Sequence, residues 1–127
     1  MWKTILLVGS GGFIGSVLRF LVTRFIQMRY FSLFPWGTMT VNIVGSFIIG
    51  IIFGLSEKGD FLGPQAKFFL AVGFCGGFTT FSSLSNDAFI LLQNKEWLKF
   101  LFYATGSFAL GLAAVLGGRM LVKTILP

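Results

Sequence analysis

Four apolar stretches, at 5–26, 36–55, 66–92 and 97–122, occupy most of a chain of 127 residues. A helix needs about 20 predominantly apolar residues to cross the hydrocarbon of a bilayer. Only 11% of the residues are charged, against about 25% in soluble domains, and the mean hydropathy is +0.88. The chain therefore reads as one all-α transmembrane domain over residues 1–127, with four helices and no space for an extramembrane domain. The connections at 29–35, 57–65 and 93–96 are short, which suits antiparallel neighbouring helices.

The third stretch contains the run Gly73-Phe74-Cys75-Gly76-Gly77-Phe78-Thr79-Thr80-Phe81-Ser82-Ser83. Three glycines and four hydroxyls have no reason to gather at mid-depth unless the backbone itself is needed there. Irregular backbone inside a membrane is tolerated only where protein buries it or a water-filled cavity receives it. Freed carbonyls and amides can then hold an ion, as in the broken helices of transporters. The third helix is thus expected to be broken mid-membrane, and the segment points to ion handling.

Charge placement narrows the class. With both termini on one side, that side carries Lys3, Lys58, Lys67, Arg119 and Lys123, and the other carries Arg24, Arg29, Lys95 and Lys99. Lys and Arg bias normally sets orientation, so five against four is what a chain inserting both ways would show. The net charge of +6 does not point to nucleic acid here, because the bases flank spans and anchor them to lipid headgroups. There are no histidines, so imidazole catalysis, imidazole metal binding and histidine proton relays are excluded. The single Cys75 cannot form an internal disulfide and reads as a small packing residue. No cleavable signal is expected, since the apolar core at 5–8 is short and the apolar stretch runs on past its glycines.

Gly9, Gly12 and Gly15 have the spacing of a nucleotide-binding glycine turn. That motif needs a βαβ unit with an acid about 20 positions on, and no acid precedes Glu57. Gly11 and Gly15 read better as a face on which a neighbouring helix packs closely. In the second stretch Thr38, Asn42 and Ser46 recur every four residues, and Gly50 and Gly54 continue the stripe. Tyr103, Ser107 and Gly111 repeat it in the fourth. Any single hydroxyl of this kind is ordinary interhelical glue, but neutral donors on three spans together favour a pathway. The first span holds Arg19, and the only acid well inside a span is Asp87. That inventory suits an anion rather than a cation. Phenylalanine supplies 17 residues, and the positive edge of its ring is a further means of steadying an anion.

Three motifs, in order on successive spans, carry a resemblance to the Fluc/CrcB fluoride channels over nearly the whole chain. They are Gly11-Gly12-Phe13-Ile14-Gly15-Ser16-Val17-Leu18-Arg19-Phe20, Trp36-Gly37-Thr38-Met39-Thr40-Val41-Asn42-Ile43-Val44-Gly45, and the run from Gly73 to Ser83. The resemblance implies an antiparallel, dual-topology homodimer in the plasma (inner) membrane of a prokaryote, with two fluoride pores and a central structural sodium ion. By matching position, Asn42 is the pore asparagine that donates to fluoride, and Phe81 is the first phenylalanine of an aromatic box. Ser82 and Ser83, with Tyr103 and Ser107, line the polar track. Backbone carbonyls of Gly76 and Thr79 surround the sodium ion, and Arg19 matches the first-helix arginine, with a role in structure or local field.

The chain departs from that pattern twice. Leu84 stands where the second box phenylalanine is expected, and Asp87 replaces the usual glutamate. The function expected is passive, fluoride-selective export that confers fluoride resistance, not enzyme catalysis. The competing reading is a small dual-topology multidrug or cation exporter, but such a protein needs an acid in the first span, which this chain lacks. A non-conducting structural subunit would have no use for the helix break and polar stripes.

Overall fold

The computed structural model describes residues 1–59 and 61–126; Asp60, in the connection expected between the second and third spans, lies outside them. The architecture is all-helical, with four helices long and apolar enough to cross a membrane. Helix α1 is Trp2–Arg29 and α2 is Trp36–Glu57. The third span runs through α3 (Pro64–Lys67), a π-helical stretch π1 (Phe68–Cys75), α4 (Gly76–Phe78) and α5 (Phe81–Gln93). Helix α6 is Trp97–Ile125. The first and last of these run past the apolar stretches at 5–26 and 97–122, because helical pairing continues where hydropathy falls.

The ends follow local chemistry. Pro35 precedes α2, and Pro64 opens α3 in the first turn, where a missing amide costs nothing. Gly59, with φ +87°, turns the chain away from α2. Between α4 and α5, helical pairing stops, because Thr79 (φ −93°, ψ 156°) and Thr80 (φ −153°, ψ 124°) are both extended.

The spans pack mainly in two parallel pairs, α1 on π1 and α4, and α2 on α6. The antiparallel neighbours that the short connections suit, α1 with α2 and α5 with α6, also touch, but less extensively. Small residues explain the choice. A Cβ on Gly15 would run into the Phe74 carbonyl oxygen and lie 2.9 Å from the Phe78 amide. A Cβ on Gly50 would meet the Val115 carbonyl. Both glycines are buried, and each lets one backbone lie directly on another. The expected packing roles of Gly11, Gly15, Gly50 and Gly54 hold, since all four are buried against these neighbours. Cys75 is also a packing residue, 1% exposed.

One end of the α2–α6 pair is closed by a two-pronged ion pair. Arg119 Nε donates to Glu57 Oε1 at 2.7 Å and Nη2 donates to Oε2 at 3.1 Å. This contact requires the C-terminal ends of α2 and α6 to lie at the same end of the molecule, as two parallel spans must. Elsewhere the core gathers Phe34, Met39, Leu91 and Tyr103, with Ile43, Leu84, Ala88 and Phe100 against them.

Candidate functional site

Breaking a helix inside an apolar segment frees polar groups that must find partners or remain costly. In this chain they find them on three different helices. Asn42 of α2 faces the break: its Nδ2 donates to the Thr80 carbonyl at 3.1 Å, and its Oδ1 accepts the Thr80 amide at 2.8 Å. Arg19 of α1 donates from Nε to the Gly77 carbonyl at 2.9 Å, capping the end of α4. Thr80 caps α5 by accepting the Ser83 amide on Oγ1 at 3.1 Å, and it shares a 3.1 Å hydrogen bond with the Ser82 hydroxyl. Gly45 makes room for this arrangement, because a Cβ there would collide with the Thr79 methyl.

Among the described residues, the carbonyls of Gly76, Phe78 and Thr79 are left over. In an unbroken helix the Thr80 and Ser83 amides would serve the Gly76 and Thr79 carbonyls, but Asn42 and Thr80 have taken those amides. Gly76 is exposed, and a Cβ there would meet nothing within 4 Å. Neutral oxygens approachable in this way are the donor type that suits a hard cation.

The break also borders a cavity of about 280 Å³ lined by Asn42, Ser46, Thr79, Thr80, Phe81 and Leu84, among others. Asn42 has one amide hydrogen beyond the bond to Thr80. The N-terminus of α5, where helix amides carry partial positive charge, opens on the same region. Phe81 is 80% exposed, so most of its ring faces outward from a single chain.

The residues expected on one track therefore divide between two places. Asn42 and Phe81 meet at the break, with Ser82 and Ser83 just behind them on α5. Tyr103 and Ser107 are buried in α6. Tyr103 is fully buried and donates to Asp87 Oδ2 at 3.3 Å. Asp87 in turn borders a cleft shared with Thr38, Arg24 and Gln27. Ser107 is 8% exposed, and its hydroxyl has no partner among the described residues. Leu84, at the position of the missing aromatic, both lines the cavity and packs against the core.

Sequence reasoning missed three features of this site. The first is that Asn42 is bonded to the break itself, although a costly mid-span amide and unpaired backbone were both visible. The second is that Arg19 serves a carbonyl on another span. The third is the π-helical stretch before the break, a form that often marks functional sites and has no compositional signature in Phe68–Cys75.

The family described as CrcB-like protein, Camphor Resistance (CrcB), matches residues 6–119. A protein of Azobacteroides pseudotrichonymphae named fluoride-specific ion channel FluC is 47% identical over 123 residues, covering 97% of this chain and 98% of the relative. Proteins of the same name from Bacteroides fragilis and Chlorobaculum tepidum are 45% and 44% identical, over 122 and 121 residues. Those alignments cover 94% and 95% of this chain, and 95% of each relative. Four spans and bacterial relatives make the protein a multi-pass prokaryotic membrane protein. Matched by the family over residues 6–119 and 47% identical to a relative along nearly its full length, this chain belongs to the CrcB family.

Proposed function

We propose that this protein is a passive fluoride channel, not an enzyme, and that it works as an antiparallel homodimer in the cell membrane. The observation that carries this reading is the break at Thr79–Thr80, where neutral donors converge on a cavity with no carboxylate among its lining residues. Relatives across nearly the whole length are named as fluoride-specific channels, which supports the same anion. The exporter alternative is not favoured, because α1 contains no acid.

Fluoride is small and strongly hydrated, so several good donors must replace its water. The second Nδ2 hydrogen of Asn42, the hydroxyls of Ser82, Ser83 and Ser107, the Tyr103 hydroxyl on turning from Asp87, and the ring edge of Phe81 would supply them in turn. Neutral donors bind firmly enough for entry yet weakly enough for release. Hydrofluoric acid is weak and membrane-permeant; it enters from acidic surroundings and dissociates inside. The membrane potential, worth about 2.3 kcal/mol per charge per 100 mV, then drives the anion out.

The Gly76 and Thr79 carbonyls fit a sodium ion, and an ion held there would fix the broken backbone by neutralising its carbonyl dipoles. Arg19 would hold the neighbouring carbonyl and contribute positive field. The near-equal basic count and the outward Phe81 support pairing with an inverted second copy, with lipid covering the remaining apolar surface.

Liposomes loaded with fluoride test the activity. Efflux should start when a potassium ionophore supplies compensating charge, with chloride efflux far slower and no proton gradient required. Proton-coupled uptake of organic cations without fluoride flux would overturn the reading. A cysteine at Gly63, where a Cβ meets nothing within 4 Å, tests topology. An impermeant thiol reagent should label about half of Gly63→Cys copies from each face of the membrane, as equal insertion requires. Labelling from one face alone would exclude dual insertion; buried Cys75 contributes little background.

A further inference from the structure

The cleft beside Asp87 is bordered by Gln27, a residue the proposed pathway does not use. Gln27 lies in the last turns of α1, and its side-chain amide is fully committed. Nε2 donates to the Ser32 carbonyl and to the Phe34 carbonyl, both at 3.0 Å, and Oε1 accepts the Gly37 amide at 3.1 Å. Both amide hydrogens and the oxygen are thereby engaged. Gly37 is in the first turn of α2, where backbone amides lack helical acceptors. One side chain thus ties the end of α1, the connection at 30–35 and the start of α2 together.

What this clamp holds is Phe34. The connection is tightened further by the Phe34 amide, which donates to Ser32 Oγ at 3.1 Å. The Phe34 ring is buried and stands edge-on to Tyr103, with centroids 5.5 Å apart and planes at 81°. Trp36 and Phe102 enclose the same ring at 4.4 and 5.6 Å. An edge-to-face pair of this kind fixes the orientation of both rings. The Tyr103 bond to Asp87, at 3.3 Å, is long enough that a small swing of the whole side chain about χ1 would break it.

We infer that Gln27 is a positioning residue for Tyr103, acting through the Phe34 carbonyl and ring to aim the Tyr103 hydroxyl. The connection at 30–35 is then a wedge that sets the pathway, not a passive link. This inference rests on the pathway role given to Tyr103 above.

A double-mutant cycle on reconstituted, monodisperse protein tests it, with fluoride efflux as the readout. Gln27→Met keeps the length of the side chain and removes all three hydrogen bonds, so efflux should fall about fivefold. Tyr103→Phe should lower efflux at least as much, by deleting the hydroxyl that Gln27 aims. The double variant should fall no more than about twofold below Tyr103→Phe alone, because the two changes act on one group. Losses that multiply would overturn the positioning role while leaving the pathway intact. Normal efflux from Gln27→Met would overturn it too. Normal efflux from Tyr103→Phe would instead remove Tyr103 from the pathway, and the inference with it. If Gln27→Met does not yield monodisperse protein, Phe34→Leu takes its place in the cycle with the same readings.

Discussion

Asn42→Leu will lower fluoride flux at least about thirtyfold, the rate equivalent of about 2 kcal/mol. The loss arises from the groups left behind. Leucine keeps the branching of asparagine, though it is bulkier, and removes the side-chain partners that the Thr80 amide and carbonyl now have at 2.8 and 3.1 Å. A half-buried polar group stripped of its partner costs about 1–3 kcal/mol; the Thr80 amide is left with none, while the carbonyl, at the N-cap of α5, keeps the first intrahelical bond. The donor offered to the anion disappears as well. Asn42→Asp separates these two losses. Its carboxylate can still accept the Thr80 amide, so the break keeps half its support, but it places negative charge where an anion must pass. Flux should stay low in Asn42→Asp, with the unfolding temperature below the parent's because the bond to the Thr80 carbonyl is lost. Full flux through Asn42→Asp would mean that pinning the backbone is all Asn42 does. Normal flux through Asn42→Leu would exclude both roles.

The helix break is also where the sequence was most legible. Glycines and hydroxyls in an apolar stretch conflict with the stretch's own pattern, and such conflicts concentrate at functional sites. The four helices followed from length and hydropathy alone, and the packing glycines from their spacing. What could not be read was which groups satisfy one another across spans. An arginine in a span can equally reach toward the interface along its alkyl stem; only the geometry puts the Arg19 guanidinium on the Gly77 carbonyl. Gln27 carried no signal, because a polar residue near a helix end is ordinary. Its importance lies in three backbone partners at separations of 5, 7 and 10 residues, which no periodicity encodes.

The division of the polar residues has a similar cause. Four-residue spacing correctly put Tyr103 and Ser107 on one face of α6, yet spacing cannot say what covers that face. Phe34, from a connection that reads as a plain loop, covers the Tyr103 end. Asp87 supplies the hydrogen-bond partner from α5. The proposed pathway and the core therefore meet at Tyr103, and Leu84 both lines the cavity at the break and packs on the core. A leucine in place of an aromatic at that position keeps the packing and gives up a ring edge.

The glycines of α1 allow the sharpest contrast between packing and the nucleotide-turn alternative. Gly15→Ala will prevent recovery of folded protein, whereas Gly9→Ala will be tolerated. The same methyl is added in both cases, and only its surroundings differ. At Gly9 it meets nothing within 4 Å, and alanine is favoured over glycine in helices by about 0.8–1 kcal/mol. At Gly15 it meets the Phe74 carbonyl and the Phe78 amide, which are backbone and cannot rotate aside. Relief requires α1 to move off π1 and α4, and overpacking of this kind costs about 1–3 kcal/mol or more. The Arg19 bond to Gly77 lies one turn further along the same contact, so the shift would also uncap α4. The measurement is the yield of monodisperse protein in detergent and its unfolding temperature. A glycine turn built to admit a nucleotide would make Gly9 the sensitive position, and a well-folded Gly15→Ala protein would refute close packing of α1 on the third span.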